Sequence, residues 1–547
     1  MKKLKALLAG CLALTLLVGC GTNSGSSAEV TVNLGSEPPE MVSFLTTDST
    51  SGNVLRHVME GLVRLDKDGN PVAGVAEVPT TENGGISEDG KTITFTLNPE
   101  ATWANGDKIT AQDFEYAWDQ LFTLKNGAQY ASTWAPLIVG AEKLLAAEKD
   151  ADVEKALAAK GWAASEDGTT FTVQLTGPYS YFVALMAFPN FFPLQEKAYT
   201  EAGGIDVYGN DVEGFLGNGA FTIDSWTHES ELVLVKNENY WDADSIKLEK
   251  ITMKMIKETS TANNEYDNGT LDMIGLSGED IARYTDAGEN VQDYADGSVC
   301  YFEFNSTVKG LNNAKVRKAL TYGFDVPTYV STVLMNNSTD ATTFTPTSCK
   351  GGSFSDYVGD LYNRTYDDAQ WAQAKKLLDE GLAEEGLTAA NFTLTILGDT
   401  GDSSKKTYEY FQNQWQKNLG ITVKVEQVEF QDRLNRMTNK DFDVVFALWS
   451  CDYDDPMSYL DLWVTGGGNN HTSWGNSNYD AAIKAALQEV DQDKRNGYLK
   501  TAEEIIADEC PIGSIYFRKR SYMTSDRLQG VIRTSASDLD LTRAYVK

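Results

Sequence analysis

The chain has 547 residues, with 46 Lys and Arg against 79 Asp and Glu, a formal net charge of −33, and 41% hydrophobic content. So acidic a balance excludes nucleic acid and an anionic membrane surface as partners, and that much apolar sequence, with eleven tryptophans, excludes a disordered chain. The length exceeds what one hydrophobic core supports, so two or more domains are expected.

The first predicted element is a leader. Residues 1–19 join a basic stretch (Lys2, Lys3 and Lys5) to a mostly apolar run over 6–18, the layout of a signal peptide. That run is shorter than the roughly 20 apolar residues a spanning helix needs. It ends in Leu17-Val18-Gly19-Cys20, which resembles the lipobox of bacterial lipoproteins. The resemblance implies lipidation of Cys20. Residues 20–28 then read as a polar tether rich in glycine and serine, spanning on the order of 15 Å. No later stretch is long and apolar enough to cross a bilayer, so the body is expected to meet the membrane only through the N-terminal lipid.

Residues 92–97 (Thr-Ile-Thr-Phe-Thr-Leu) and 170–175 (Thr-Phe-Thr-Val-Gln-Leu) alternate with period two, as strands with one wet face do. Between them Thr110 and Asp113 form a capping-box variant, opening a helix with Phe114, Trp118, Leu121 and Phe122 on one face. Residues 219–226 and 231–235 read as a hairpin. The second half changes character. Strand patterns at 392–397, 421–425 and 442–448 alternate with helix patterns at 403–419 and 430–437, which predicts a parallel, doubly wound sheet. The run 442–448, interrupted only by Asp443, fits a central strand covered on both faces. Residues 448–463 then hold four aspartates and four aromatic rings. Ligands of open parallel sheets bind beyond the carboxyl ends of strands, which makes Asp452 a candidate ligand residue.

Catalytic signatures are missing. His57, His228 and His471 are scattered without metal-ligand spacing, and there is no nucleophile elbow, Walker loop or dinucleotide fingerprint. A binding protein without cofactor or metal is therefore expected, not an enzyme. Cys11 leaves with the leader and Cys20 takes the lipid. Cys300, Cys349, Cys451 and Cys510 remain, an even number in an exported chain, which suggests two disulfides of open connectivity.

Several stretches together resemble one family. They are Met59-Glu-Gly-Leu-Val63, Asp66-Lys-Asp-Gly-Asn-Pro71 and the segment over 94–114 with Asn98-Pro-Glu-Ala-Thr-Trp-Ala-Asn-Gly-Asp107 at its centre. Gly217-Asn-Gly-Ala-Phe221, Lys236-Asn-Glu-Asn-Tyr-Trp241, Val316-Arg-Lys-Ala-Leu320 and the aromatic–Asp–Tyr–x–x–Pro pattern over 449–456 follow in the same order. Over essentially the whole mature chain this is similar to the family 5 extracellular solute-binding proteins, the oligopeptide-binding components of ABC importers. The resemblance implies an α/β, two-lobed periplasmic-binding-protein-like fold (type II, cluster C-like) with an extra inserted subdomain. Lobe I would comprise 29–59, 192–299 and 514–547, the insertion 60–191, and lobe III 300–513. A short peptide would be enclosed between the lobes and passed to the permease and ATPase subunits of an importer, by a monomer held on the outer side of the cytoplasmic membrane.

The family's residues carry over singly. Asp452 matches the aspartate that pairs with the peptide's α-ammonium, with Trp449 and Tyr453 shielding it. Tyr130 resembles the insertion-domain residue that reaches the ligand from the other side. Phe430 stands where some members place a tryptophan. Phe446 stands where some place a carboxylate-binding arginine, leaving Arg433 and Arg436 as substitutes. Thr47 or Asp48 falls near an acidic ligand contact. The resemblance also implies a Cys300–Cys451 disulfide, with Cys349–Cys510 as the second pair. Within the same fold an oligosaccharide is the alternative ligand, read by Trp449, Trp463, Trp474 and Tyr459. A surface peptidase or folding factor is the third reading.

Overall fold

The computed structural model describes residues 28–349, 353–400, 402–451, 453–533 and 539–547. The leader, Cys20 and the tether up to residue 27 lie outside the described residues, and so does Asp452. One large sheet takes its strands in chain order from Glu29–Asn33 (β1), Phe221–Thr227 (β2), Glu231–Lys236 (β3), Lys250–Lys254 (β4), Met273–Leu276 (β5), Gln292–Phe304 (β6), Thr393–Asp399 (β7), Thr422–Val428 (β8), Val444–Ser450 (β9) and Ile512–Thr524 (β10). Across the sheet they lie in the order β8-β7-β9-β6-β10-β5-β1-β4-β3-β2, with the short strand Thr339–Asp340 pairing off this path against β10.

β6 and β10, thirteen residues each, join the two halves. β6 pairs with β9 from Ser298–Ser450 to Phe304–Val444 and continues beside the far part of β10, where Gln292 faces Tyr522. β10 goes on to pair with β5 through residues 521–524. Their ladder is irregular between Ala295 and Val299, midway between the halves.

The predicted parallel arrangement holds for β8, β7 and β9. It fails at β6 and β10, which run antiparallel to their neighbours. β6 runs from the first half of the sheet into the second, from Gln292 opposite Tyr522 to Phe304 opposite Val444, and β10 runs back beside it from Ile512 to Thr524. β9 itself lies two residues beyond the predicted run, because Asp443 is used before the strand begins. Its carboxylate accepts the Thr395 N–H at 2.9 Å.

Alternation along β6 builds two cores. Val299 and Tyr301 face one, while Cys300, Phe302 and Phe304 face the other. A separate three-stranded sheet pairs Thr92–Thr96 with Thr170–Gln174 and the latter with Trp162–Ala164. Helix Ser49–Val58 (α1) follows β1, and helix Ala111–Phe122 (α2) lies over the small sheet. The Asp113 carboxylate accepts the Thr110 N–H at 2.8 Å, which starts α2 as the sequence predicts. Phe114, Trp118, Leu121 and Phe122 are all fully buried. Trp118 meets Phe171 and Phe191 with centroids 5.0 and 5.1 Å away. Each such side chain contributes roughly 1.5–3 kcal/mol by burial.

The expected cysteine pairs are not formed. No disulfide joins Cys300, Cys349, Cys451 or Cys510. In the β6–β9 ladder Cys300 stands opposite Leu448 and faces the second core. The facing pair at the strand end is Ser298 and Ser450, whose hydroxyls meet at 2.8 Å. Cys451 comes one residue later and packs against the first core, on the other face of the sheet from Cys300. Cys349 packs in that first core too. Cys510 caps a helix instead, donating its thiol to the Ala507 carbonyl at 3.3 Å.

Candidate functional site

Two adjoining cavities open between the halves. The smaller, about 390 Å³, is lined from α1 and the turn before it by Thr47, Asp48 and Arg56, from β6 by Asp296, from the end of β9 by Trp449, Ser450 and Cys451, and from β10 by Arg518 and Arg520. The larger, about 680 Å³, is walled by Trp134, Tyr179, Tyr181, Phe430 and Tyr453, with Asp461 its single described acid. Thr47, Tyr130 and Trp449 line both, so the two chambers are one cleft with a shared neck.

The neck is held from both sides. The Trp449 indole N–H donates to the Ser458 carbonyl at 2.9 Å. Tyr130 stacks on Trp134 at 5.6 Å and 13° and meets the edge of Phe188 at 5.7 Å. Behind it, Tyr453 stacks on Tyr181 at 4.3 Å. The residues of the loop after β9 divide their tasks. Tyr453 is buried as a wall, and Asp455 is fully buried and clamped by Arg495 through two contacts of 2.7 and 3.0 Å. Asp454 lines a small separate cavity of about 90 Å³ with Glu60 and Arg64.

β9 has one closed edge and one largely open edge. β6 pairs along its whole length, whereas β7 pairs with it only at Val444 and Val445. Among the described residues, the stretch from Phe446 to Ser450 therefore carries an unpaired backbone edge. Its last residues, Leu448 to Ser450, line the smaller chamber. An edge of this kind offers alternating N–H and C=O groups to an extended chain.

The structure brings Trp449, Tyr130, Tyr453 and Phe430 together at the cleft. Phe430 opens the helix Phe430–Thr438 (α3), with the Arg433 guanidinium over its ring at 5.2 Å. Phe446 points elsewhere, packing on Phe302 and Tyr408 at 5.7 and 5.8 Å in the second core. Arg436 and Arg433 are not in the cleft lining either. Arg436 holds Glu426 at 2.9 Å and Asp441 at 3.4 Å, and the Glu426 carboxylate raises its pKa. Arg433 holds Asp399 at 2.7 Å. No histidine lines either chamber. Buried His57 is structural, with Nδ1 at 2.7 Å from the Asn53 carbonyl and Nε2 accepting from the Leu541 N–H at 3.0 Å; burial lowers its pKa.

Sequence reasoning missed Asp296, Arg518 and Arg520. Asp296 is 5% exposed and lies 2.6 Å from Arg518 Nε and 3.0 Å from Arg520 Nε. The available signal was the Arg518-Lys-Arg520 run inside an otherwise apolar strand.

Known proteins resemble this chain in sequence and in overall fold. The profile of the bacterial extracellular solute-binding proteins, family 5 Middle, matches residues 71–471. The oligopeptide-binding protein OppA of Bacillus subtilis is 32% identical over 544 residues, covering 97% of this chain and 96% of that protein. The dipeptide-binding protein DppE of the same organism is 30% identical over 560 residues, covering 99% of both chains. Among solved structures, the substrate-binding domain of an oligopeptide ABC transporter from Bacillus anthracis superposes with a TM-score of 0.76 at 32% identity, over 95% of this chain and 99% of that one. Listeria monocytogenes OppA bound to peptide gives a TM-score of 0.75 at 30% identity, over 95% and 99%.

Proposed function

The chain belongs to the bacterial extracellular solute-binding proteins of family 5, and on that premise we propose that it captures short peptides in this cleft and delivers them to an ABC-type importer. It binds and releases; it does not turn its ligand over. The observation that carries the reading is the open edge of β9 beside the neck. A peptide laid along that edge gains main-chain hydrogen bonds that are indifferent to side-chain identity, while its side chains enter the two chambers. Relatives named for oligopeptides and dipeptides agree with such a ligand.

In this reading Asp452, directly after Cys451, takes the peptide's α-ammonium. A charge-assisted hydrogen bond there contributes roughly 1.5–3 kcal/mol. Tyr130 and Trp449 close on the ligand from opposite sides. The two halves correspond to lobe I over 29–59, 192–299 and 514–547 and lobe III over 300–513, with the insertion over 60–191, and they close about the β6–β10 crossing. A lipid on Cys20 moors the monomer outside the cytoplasmic membrane, near its permease. The ring-lined larger chamber also suits a pyranose ring, so an oligosaccharide is the second reading.

Thermal unfolding of the purified protein against pooled di- to octapeptides, their N-acetylated copies and oligosaccharides tests both. A ligand at about 100 times its Kd adds about 2.7 kcal/mol. Stabilisation by peptides that N-acetylation abolishes is expected. Stabilisation by oligosaccharides alone would overturn the peptide reading and keep the fold.

A further inference from the structure

The unit built on the three-stranded sheet meets the two halves by different means. Toward the first half it makes buried hydrogen bonds. Asn190, fully buried, donates from Nδ2 to the Ser43 and Thr46 carbonyls at 2.9 and 3.0 Å. Its side-chain carbonyl accepts the Trp134 indole N–H at 3.2 Å. The buried Glu60 carboxylate accepts from the Tyr240 hydroxyl at 2.5 Å and from the Trp241 indole N–H at 2.7 Å. Toward the second half the unit presents rings. Tyr181, 3% exposed, stacks on Tyr453 at 4.3 Å and 18°, and the Arg495 guanidinium stands 6.0 Å from its centroid. Trp134 meets Tyr453 edge-on at 6.4 Å. One core holds Phe182 and Phe191 of the unit together with Tyr453, Met457 and Tyr459 of the second half.

A second contact lies outside both chambers. The turn from Asp66 to Asn70 is closed by the Asp66 N–H donating to the Asn70 carbonyl at 2.9 Å. Gly69 has φ +81° there, and a Cβ at that position would stand 3.1 Å from Asp454 Oδ2. The bare backbone of the turn thus admits that carboxylate. Asp454 lines neither chamber. It follows Tyr453 directly, so ring and carboxylate dock the loop after β9 on the unit at two points. Buried hydrogen bonds are costly to leave unmade, which keeps the unit with the first half. Apolar contact is non-directional, so rings can part and meet again. When the halves separate about the β6–β10 crossing, the surface that parts is the one between Tyr181 and Tyr453.

We propose that Tyr181 and the Gly69 turn form a latch that receives Tyr453 and Asp454, positions the loop after β9 and favours the closed arrangement of the halves. Its members are positioning residues, because they act through that loop. Tyr181 also walls the larger chamber, whereas the Gly69 turn does not. A latch made of the chain's own side chains raises the closed fraction by one factor whatever peptide is present. Apparent affinity scales with that fraction. The contribution is therefore indifferent to the ligand's sequence and end groups, unlike that of a direct contact. Its effect on affinity rests on the peptide reading; its effect on shape does not.

The test joins calorimetric titration of the purified full chain with small-angle X-ray scattering of the same chain without peptide. Tyr181→Ala should raise the Kd of every peptide, free or N-acetylated, by one common factor of roughly 5- to 20-fold. Tyr181→Phe, which keeps the ring, should bind within about twofold of the parent. Asp454→Ala, which leaves both chambers lined as before, should give a smaller common factor of about two- to fivefold. Without peptide, both alanine variants should show a larger radius of gyration than the parent. A loss that differs between peptides, with the radius unchanged, overturns the latch and leaves Tyr181 as a ligand wall only. Unchanged Kd and radius in both variants overturn it outright. If Tyr181→Ala does not fold, Asp454→Ala carries both readouts. Binding of no peptide by the parent overturns the peptide reading, and the scattering comparison alone then decides the latch.

Discussion

Arg495 reaches Asp455 with both terminal nitrogens, at 2.7 and 3.0 Å from its two carboxylate oxygens, and both side chains are almost wholly buried. The carboxylate also accepts the Met457 N–H at 2.9 Å. This pair anchors the loop that leaves β9 for the cleft, three residues from Asp452. Removing one member leaves an uncompensated buried charge, which costs about 3–5 kcal/mol. Asp455→Asn should therefore lower unfolding stability in denaturant by about that much and weaken peptide binding too. Replacing both residues with apolar side chains (Asp455→Leu with Arg495→Met) should recover most of the stability.

Asp452 calls for the opposite behaviour. Asp452→Asn removes the charge proposed to meet the ligand's ammonium, so peptide affinity should fall about 10- to 150-fold, the equivalent of roughly 1.5–3 kcal/mol. The melting temperature of the unliganded protein should stay unchanged. In calorimetry the variant should also lose its preference for free over N-acetylated peptides; a preserved preference would place the amine elsewhere.

Arg436 separates the cleft from its surroundings. It spends its guanidinium on Glu426 and Asp441, so Arg436→Ala should leave peptide affinity within about twofold. Trp449→Ala opens the neck and exposes the cleft to water, and should weaken binding by roughly 2 kcal/mol or more, as truncation of a well-packed anchor does. Equal effects of the two changes would contradict the geometry.

Glu303 gives a pH dependence with a definite sign. It is 1% exposed on β6, faces His471 Nδ1 at 3.3 Å, and burial raises its pKa above the ordinary carboxylate value, partly offset by His471 and Arg433. A carboxyl whose folded pKa exceeds its unfolded value, about 4.3, holds its proton more tightly when folded. Its contribution is fully present below the unfolded value and is lost as pH rises through the folded one. Glu303→Gln should thus be more stable than the parent protein near neutral pH, by about 1–2 kcal/mol. That advantage should shrink below pH about 4.5, as denaturant titrations at several pH values will read.

The buried thiols should be inert. Burial pushes Cys300 up to about 12 and Cys510 up to about 11, and thiolate is the reactive form. Alkylation at pH about 8 should label neither until the chain is unfolded, and mass mapping of the labelled peptides will show it.

Much of this protein was legible from local signals. The period-two strands at 92–96 and 170–174, the Thr110–Asp113 start of α2 and the buried stripe through Phe114, Trp118 and Leu121 all follow from spacing that neighbouring residues enforce on one another. The ordered motifs sufficed for the family, and Trp449, Tyr130 and Tyr453 do meet at one cleft. Other assignments could not be made locally. Phe446 turns to the core and Trp449 to the cleft only because β9 presents alternate residues to opposite faces, and its pairing with β6 sets the register. The same register places Ser298 against Ser450, and Cys300 on the opposite face from Cys451. Asp296 and Arg518 are 222 positions apart, and no spacing rule spans that separation. Sequence by itself determined the main elements and the family, because local spacing and ordered motifs carry both. Tertiary structure alone decided which charges share a chamber, because that depends on how β6 and β10 cross between the halves.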